Sequence, residues 1–218
     1  MPTGQSLIAP LDLDAIVARL RTRGPDLSAA LVFGLGAGIY FEYYRRADSP
    51  TRFFTGHNRR LEEQLDVHLT RFLAGDRRGA VVAALRANAL AMNVDRSPVA
   101  GVMGMELFAE ELENWAALPD WPSCVREAAR TITNTGSLYR RRYARFLGAA
   151  SGWLEPLKRF VIIMDELASE WDGLAVQLQA TNVPNPEARF TRAGNLFQRL
   201  AAREEHFWGE IIELTNSE

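Results

Sequence analysis

A carboxylate in the middle of an apolar helical stripe is the sharpest chemical anomaly in this chain. Phe197, Leu200, Glu204, Phe207 and Ile211 follow one another in steps of three and four, so Glu204 falls among hydrophobic neighbours on one helix face. A carboxylate so placed has two uses. It pairs with an arginine such as Arg140 or Arg142 and ties helices together, or its pKa rises and it serves as a general acid or base beside a pocket. His206, two residues on, and the hydroxyls of Tyr139 and Tyr143 are the other groups able to move a proton near it. Tyr40, Tyr43, Trp115 and Arg142 are the candidates for holding a substrate: three aromatic walls, and a guanidinium that grips a carboxylate or phosphate.

The remaining reactive residue types have plainer explanations. Cys124 lies in Trp121-Pro-Ser-Cys-Val-Arg-Glu127 near an expected helix N-terminus, where a thiol pKa falls, but a small buried residue suits the same pattern. Gly34-Leu-Gly-Ala-Gly38 is half of a dinucleotide fingerprint without its third glycine or a βαβ setting, so a tight turn with close backbone approach is the expectation. His57, His68 and His206 do not assemble a metal-ligand spacing: His68 lies near an apolar stripe, and Glu204, Glu205 and His206 are adjacent residues that point in different directions, so neither a metal nor a cofactor is called for. In Tyr139-Arg-Arg-Arg-Tyr-Ala-Arg-Phe146 the aromatics share one face with Arg142, and Arg141 and Arg145 share another. The arginines either stand in water or clamp an anion.

The elements that must position these groups read almost entirely with helical period. Leu157, Phe160, Met164, Leu167, Trp171, Leu174 and Leu178 draw a narrow apolar seam along one long helix. A second long helix runs from about Pro186 to Leu214, and Asn182 to Pro186 turn the pair into an antiparallel hairpin. Shorter helices carry Leu61 to Phe72, Val82 to Met92 and Met105 to Trp115. Asp12 or Asp14, then Asp26 or Ser28, are positioned to cap the first two helices. Pro122 suits a first helical turn, and Ser137 an N-cap for Leu138 to Ala150. Only Ile39 to Tyr44 and Arg52 to Thr55 look like strands. The expected fold is therefore all-α or nearly so, a helical bundle on a long C-terminal antiparallel helix pair with a small β-hairpin near residues 39–55.

Composition narrows the function classes. The 218 residues are 47% hydrophobic and 24% charged, a globular balance, and the formal net charge of −2 supplies no field for nucleic acid. No signal-peptide pattern or membrane-length apolar run stands out, so the expectation is a cytoplasmic protein with no membrane partner. Lys158 is the single lysine among 25 basic residues and hence the one possible Schiff-base amine.

Two stretches resemble a known family. Gly24-Pro-Asp-Leu-Ser-Ala-Ala-Leu-Val-Phe-Gly-Leu-Gly-Ala-Gly38 is similar to the G-x-x-L-S-E-x-x-L-F-G-L-G-x-G segment of proteins typified by butirosin biosynthesis protein H. Met103 to Trp115, then Asn134-Thr-Gly-Ser-Leu-Tyr-Arg-Arg-Arg-Tyr-Ala-Arg-Phe-Leu147, then the final helix pair resemble that family's helical C-terminal domain with its R-x-x-Y-A-x-F-L signature. The resemblance covers about two-thirds of the chain. It implies that residues 1–96 are a truncated remnant of a papain-like acyltransferase domain and 97–218 the C-terminal domain. Its departures bear directly on chemistry. Counting back from Gly24 to the family's cysteine position lands on Pro10-Leu11, and Arg86 to Asp95 run almost directly into the C-terminal pattern with no place for the general-base histidine. Thioester chemistry needs both groups.

Three functions are compatible with this pattern. One is an enzyme of bacterial specialised, antibiotic-type metabolism that binds an apolar or acyl-derived small molecule and promotes a cyclisation or isomerisation without a covalent intermediate. Another is a non-catalytic ligand-binding or partner protein left after loss of the active site. The third is acyl transfer through some other nucleophile. An acyl carrier protein and a second copy of the chain (a homodimer) are the macromolecular partners that fit. A pocket lined by Tyr40, Tyr43, Trp115, Tyr139, Tyr143 and His206 would favour the enzyme, and a solid core the binding protein.

Overall fold

Asp12 opens the first helix by accepting the Ala15 amide at 3.0 Å, and Ser28 opens the second by accepting that of Leu31 at 3.1 Å. The structure, a computed structural model, describes residues 11–45, 52–93, 97–179 and 185–218. Among these lie nine α-helices and one antiparallel pair of strands. In chain order they are α1 Leu13–Leu20, α2 Ala29–Leu35, β1 Ile39–Arg45, β2 Arg52–His57, α3 Leu61–Leu73, α4 Arg77–Asn93 and α5 Gly101–Leu112. A 3₁₀ turn Glu113–Ala117 follows, then α6 Trp121–Asn134, α7 Arg140–Ala150, α8 Leu157–Gln179 and α9 Pro186–Asn216. The fold is nearly all-α, with the hairpin where it was expected. Residues 46–51, between its strands, and most of the α8–α9 connection (180–184) lie outside the described residues.

The two long helices form the spine. Every residue of the α8 seam from Leu157 to Leu178 is buried, as is the α9 stripe through Phe190, Phe197, Leu200, Glu204, Phe207 and Ile211. Their partners fall in opposite order, Phe160 on Phe207, Trp171 on Phe197 and Leu178 near Arg189, which makes the pair antiparallel. Ion pairs of Arg203 with Glu166 and Glu170, and of Arg159 with Glu210, edge the seam. These are exposed and contribute little; the buried aromatics supply most of the stability.

The hairpin packs against this spine near the middle of its two helices, at Trp171 and Phe197. Phe41 of β1 and Phe54 of β2 lie 5.4 Å apart and rest on Phe108 of α5 and Trp171 of α8. Asn88, buried in α4, fixes where the hairpin begins. Its Oδ1 accepts the Ile39 amide at 3.2 Å, and its Nδ2 donates to the Ile39 carbonyl at 2.6 Å. One hydrophobic core thus runs through elements on both sides of the 96–97 division expected from sequence.

The glycine-rich segment is a packing device. The amides of Gly36, Ala37 and Gly38 donate to the α2 carbonyls of Val32, Gly34 and Phe33, leaving none to cradle a phosphate. A methyl group on Gly34 would meet the Phe146 ring at 2.0 Å. Glycine here lets α7 lie directly on α2.

Candidate functional site

The most unusual backbone lies between α6 and α7. Gly136, Ser137, Leu138 and Tyr139 have φ of 69°, 55°, 51° and 69°, four successive residues in the left-handed region, three of them with a Cβ. Each such residue costs roughly 1–2 kcal/mol, so the turn persists only because its side chains are held. Ser137 does not cap α7 as its position suggested. Its hydroxyl donates to Asp172 at 2.9 Å, and α7 begins with no side-chain cap. Leu138 packs on Gly56 of β2, where an added methyl group would lie 2.2 Å from its Cγ. Tyr139 stacks on Phe33 at 5.3 Å and meets the edge of His57 at 5.6 Å.

Arg140, the next residue, enters the core. Its Nε and Nη2 donate to the two Glu204 oxygens at 2.8 and 2.7 Å, and Nη1 donates to the Leu138 carbonyl at 2.9 Å. The guanidinium lies 4.9 Å from the centre of the Trp171 ring. The indole N–H groups of Trp171 and Trp208 complete the carboxylate, at 2.7 and 3.2 Å. Both charged side chains are fully buried. This corrects the acid–base role considered for Glu204: four donors occupy its oxygens, no solvent reaches it, and it acts as the structural tie between α7, α8 and α9.

The other nominated residues do not converge. Tyr143 is buried beside Trp208, 5.4 Å between ring centres, with no hydrogen-bond partner for its hydroxyl among the described residues, and burial pushes its pKa far up. With no solvent exposure it faces no ligand space, which corrects its choice as a group that moves a proton. Tyr139 too is raised by burial. His206 is exposed on α9. Tyr43 donates to Glu111 at 2.7 Å and packs on Phe108, as Trp115 does from another side; both are enclosed. Arg142 is half-buried beside Tyr139. Cys124 is buried in α6, and Lys158 is exposed at 3.4 Å from Glu155. The expected common pocket of Tyr40, Tyr43, Trp115, Tyr139, Tyr143 and His206 does not form: Tyr43 and Trp115 pack on Phe108, Tyr139 on Phe33 and Tyr143 on Trp208, while His206 lies at the surface and Tyr40 in a groove.

Tyr40 reaches a concavity. It borders a groove of about 380 Å³ between β1, the β2–α3 turn and α4, floored by Ala37, Ala87 and Ala91. Glu42, Asn58, Arg59, Arg60 and Gln64 complete the lining. Asn58 shapes the turn, its Oδ1 accepting the Arg60 amide at 2.9 Å and its Nδ2 donating to the Ala37 carbonyl at 3.2 Å. At the rim Arg59 donates to the Tyr44 hydroxyl, which donates to Glu42, and Arg59 Nε stands 3.7 Å from Glu42. Burial and the neighbouring carboxylate raise the Tyr44 pKa, so the hydroxyl stays protonated. His57, behind this turn, bonds Thr55 Oγ1 through Nδ1 at 3.0 Å; burial, aided by Arg59, lowers its pKa to about 4. Sequence inspection missed this set except Tyr40. Asn58-Arg59-Arg60 following a strand was its one visible trace.

Fold and site define a nearly all-α helical bundle, closed by a hairpin, with most of its reactive side chains locked inside. Residues 68–211 match the family described as Domain of unknown function (DUF4872), and the chain belongs to that family. The match runs from within α3 to near the end of α9 and so contains Arg140, Trp171, Glu204 and Trp208. No curated protein and no solved structure matches the chain.

Proposed function

We propose that this chain is a small-molecule-binding protein of bacterial specialised metabolism, related to the helical domain of butirosin H-like acyltransferases, that works without a covalent thiol step. The observation that carries the reading is the separation of these reactive groups from a polar groove at the surface. Cys124, Tyr143 and Glu204 are enclosed in the core, whereas the groove beside Tyr40 combines an alanine floor with arginine, amide and carboxylate groups. An acyl-derived ligand would lay its apolar part on Ala87, Ala91 and the Tyr40 ring and its polar end on Arg59, Asn58 and Gln64.

A thermal-shift screen with intermediates of the neighbouring biosynthetic genes tests this. A stabilising ligand should lose its effect in Arg59→Ala and Tyr40→Ala and keep it in Cys124→Ser. Retention in both groove variants, or loss on alkylation of Cys124, would sink the reading.

A second reading, an acid–base enzyme promoting cyclisation or isomerisation, is favoured by the Arg59–Tyr44–Glu42 chain at the groove rim. Turnover of the stabilising ligand, lost in Glu42→Gln, would select it.

A further inference from the structure

Left-handed backbone at Ser137, Leu138 and Tyr139 sends neighbouring side chains to separate places. Leu138 goes to the hairpin, where it fills the space that a Cβ on Gly56 would take. Tyr139 lies between Phe33 of α2 and the edge of the His57 ring. Arg140 turns back into the core to Glu204, and its Nη1 at the same time donates to the Leu138 carbonyl. The guanidinium thus holds the turn as well as the carboxylate. Ser137, on Asp172, pins the turn to α8. Backbone kept out of its ordinary range by so many contacts points to a demand for that geometry. Gly56 and His57 run without a break into Asn58, Arg59 and Arg60, which form one lip of the groove. From the other side the α2–β1 turn holds Asn58, whose amide donates to the Gly38 carbonyl at 3.0 Å and whose Nδ2 donates to that of Ala37 at 3.2 Å. The lip is clamped between two elements, and Leu138 and Tyr139 are one of its jaws.

We propose that the turn at 136–139 is a positioning device for the groove: the Arg140–Glu204 pair keeps it left-handed, and in that form Leu138 and Tyr139 set Gly56 and His57, and through them the Asn58–Arg59 lip. Without the pair, Leu138 and its neighbours fall back to right-handed backbone, which carries both side chains away and leaves the lip on its α2–β1 support alone. Arg140 and Leu138 are then positioning residues for a groove whose lining includes neither of them. Holder and held divide at the family boundary. The turn and the ion pair lie within residues 68–211, and Gly56 to Arg60 lie ahead of them. What the lip does rests on the groove being the ligand site, as proposed above. Where the lip sits can be read with no ligand present, so a failed ligand screen and a failed coupling are told apart.

His57 is the reporter. Tyr139 from the turn, Thr55 from β2 and Arg59 from the lip surround it, and burial holds its pKa at about 4. An NMR titration of the histidine rings in the full chain, with the His57 signal assigned by its loss in His57→Gln, reads that burial directly. In Leu138→Ala the His57 pKa should rise to about 5 or above, toward its ordinary 6.5, as water enters beside Gly56. Where that variant folds poorly, Leu138→Val, which keeps part of the contact, should give a smaller rise. Glu204→Gln should raise the pKa as well. Loss of the Glu204 charge by itself would lower it, since Arg140 is left uncompensated, so a rise reports the turn and not the charge. Phe160→Leu is the control for mere loss of stability: it lies on α8 twelve residues before Asp172, roughly 18 Å by helical rise, and should leave His57 unchanged. An unchanged His57 pKa in the Leu138 variants, an unchanged or lowered one in Glu204→Gln, or an equal rise in Phe160→Leu would overturn the coupling.

Discussion

Arg140 and Glu204 stand 64 residues apart in sequence and close on each other with two parallel hydrogen bonds of 2.8 and 2.7 Å, neither side chain showing any solvent exposure. A pair so enclosed stabilises relative to its own broken form, because removing one partner strands the other's charge. Glu204→Gln should cost about 3–5 kcal/mol, read as a lowered denaturation midpoint. A loss under about 1 kcal/mol would mean that the cavity admits water or an anion in place of the carboxylate.

Trp171 joins three roles: seam residue of α8, lid over Arg140, and donor to Glu204. Trp171→Ala should therefore cost at least the roughly 3–5 kcal/mol expected for deleting a buried aromatic. Because Trp171 and Glu204 share a bond, the double variant should lose less than the two single losses added together. Additive losses would show that the indole N–H contributes nothing.

Two glycines give a matched pair of backbone tests. At Gly136, φ is +69° with no neighbour within 4 Å of an added methyl group, so Gly136→Ala should destabilise by about 1–2 kcal/mol through conformation alone. Gly148 has similar open space but lies within helix α7, and Gly148→Ala should stabilise by about 0.5–1 kcal/mol. Chemical denaturation of both variants gives the signs, and a stabilised Gly136→Ala would contradict the left-handed turn.

Burial lowers the His57 pKa from 6.5 to about 4, with a smaller contribution from Arg59. The folded state refuses a proton that the unfolded chain accepts. Stability from neutral His57 is thus complete above pH 6.5 and is lost as pH falls toward about 4, by at most about 3 kcal/mol. The difference in unfolding free energy between wild type and His57→Gln should shrink over that window. Parallel profiles would show that His57 takes up its proton without penalty.

Periodicity was a good guide wherever one helix face meets one neighbour. The α8 and α9 stripes came out in phase, Glu204 included, because each helix buries a single seam. Around Arg140 the same logic fell short. The stripe of Tyr139, Tyr143 and Phe146 left Arg140 off the expected face, but α7 is covered by α2 on one side and α8 on another, so its buried arc is wide enough to take in Arg140, Ala144 and Leu147 as well. The left-handed turn had no signature beyond Gly136, since Ser137, Leu138 and Tyr139 are residue types that avoid positive φ unless tertiary contacts impose it. Asn88 read as one polar residue in an alanine-rich helix. That it would receive the peptide of Ile39, 49 residues earlier, is a fact of the assembled bundle.

The family match begins at residue 68, beyond the hairpin whose Phe41 and Phe54 cover Phe108 and Trp171. Modularity therefore stops short of those two rings. A gene fusion that gave residues 68–211 a new upstream segment would inherit an exposed aromatic socket, and with it a requirement on whatever came first. Any replacement must bring two side chains of similar bulk to the same spot and offer a peptide group to Asn88. A new upstream segment could differ freely ahead of the socket but would have to supply a stopper for it.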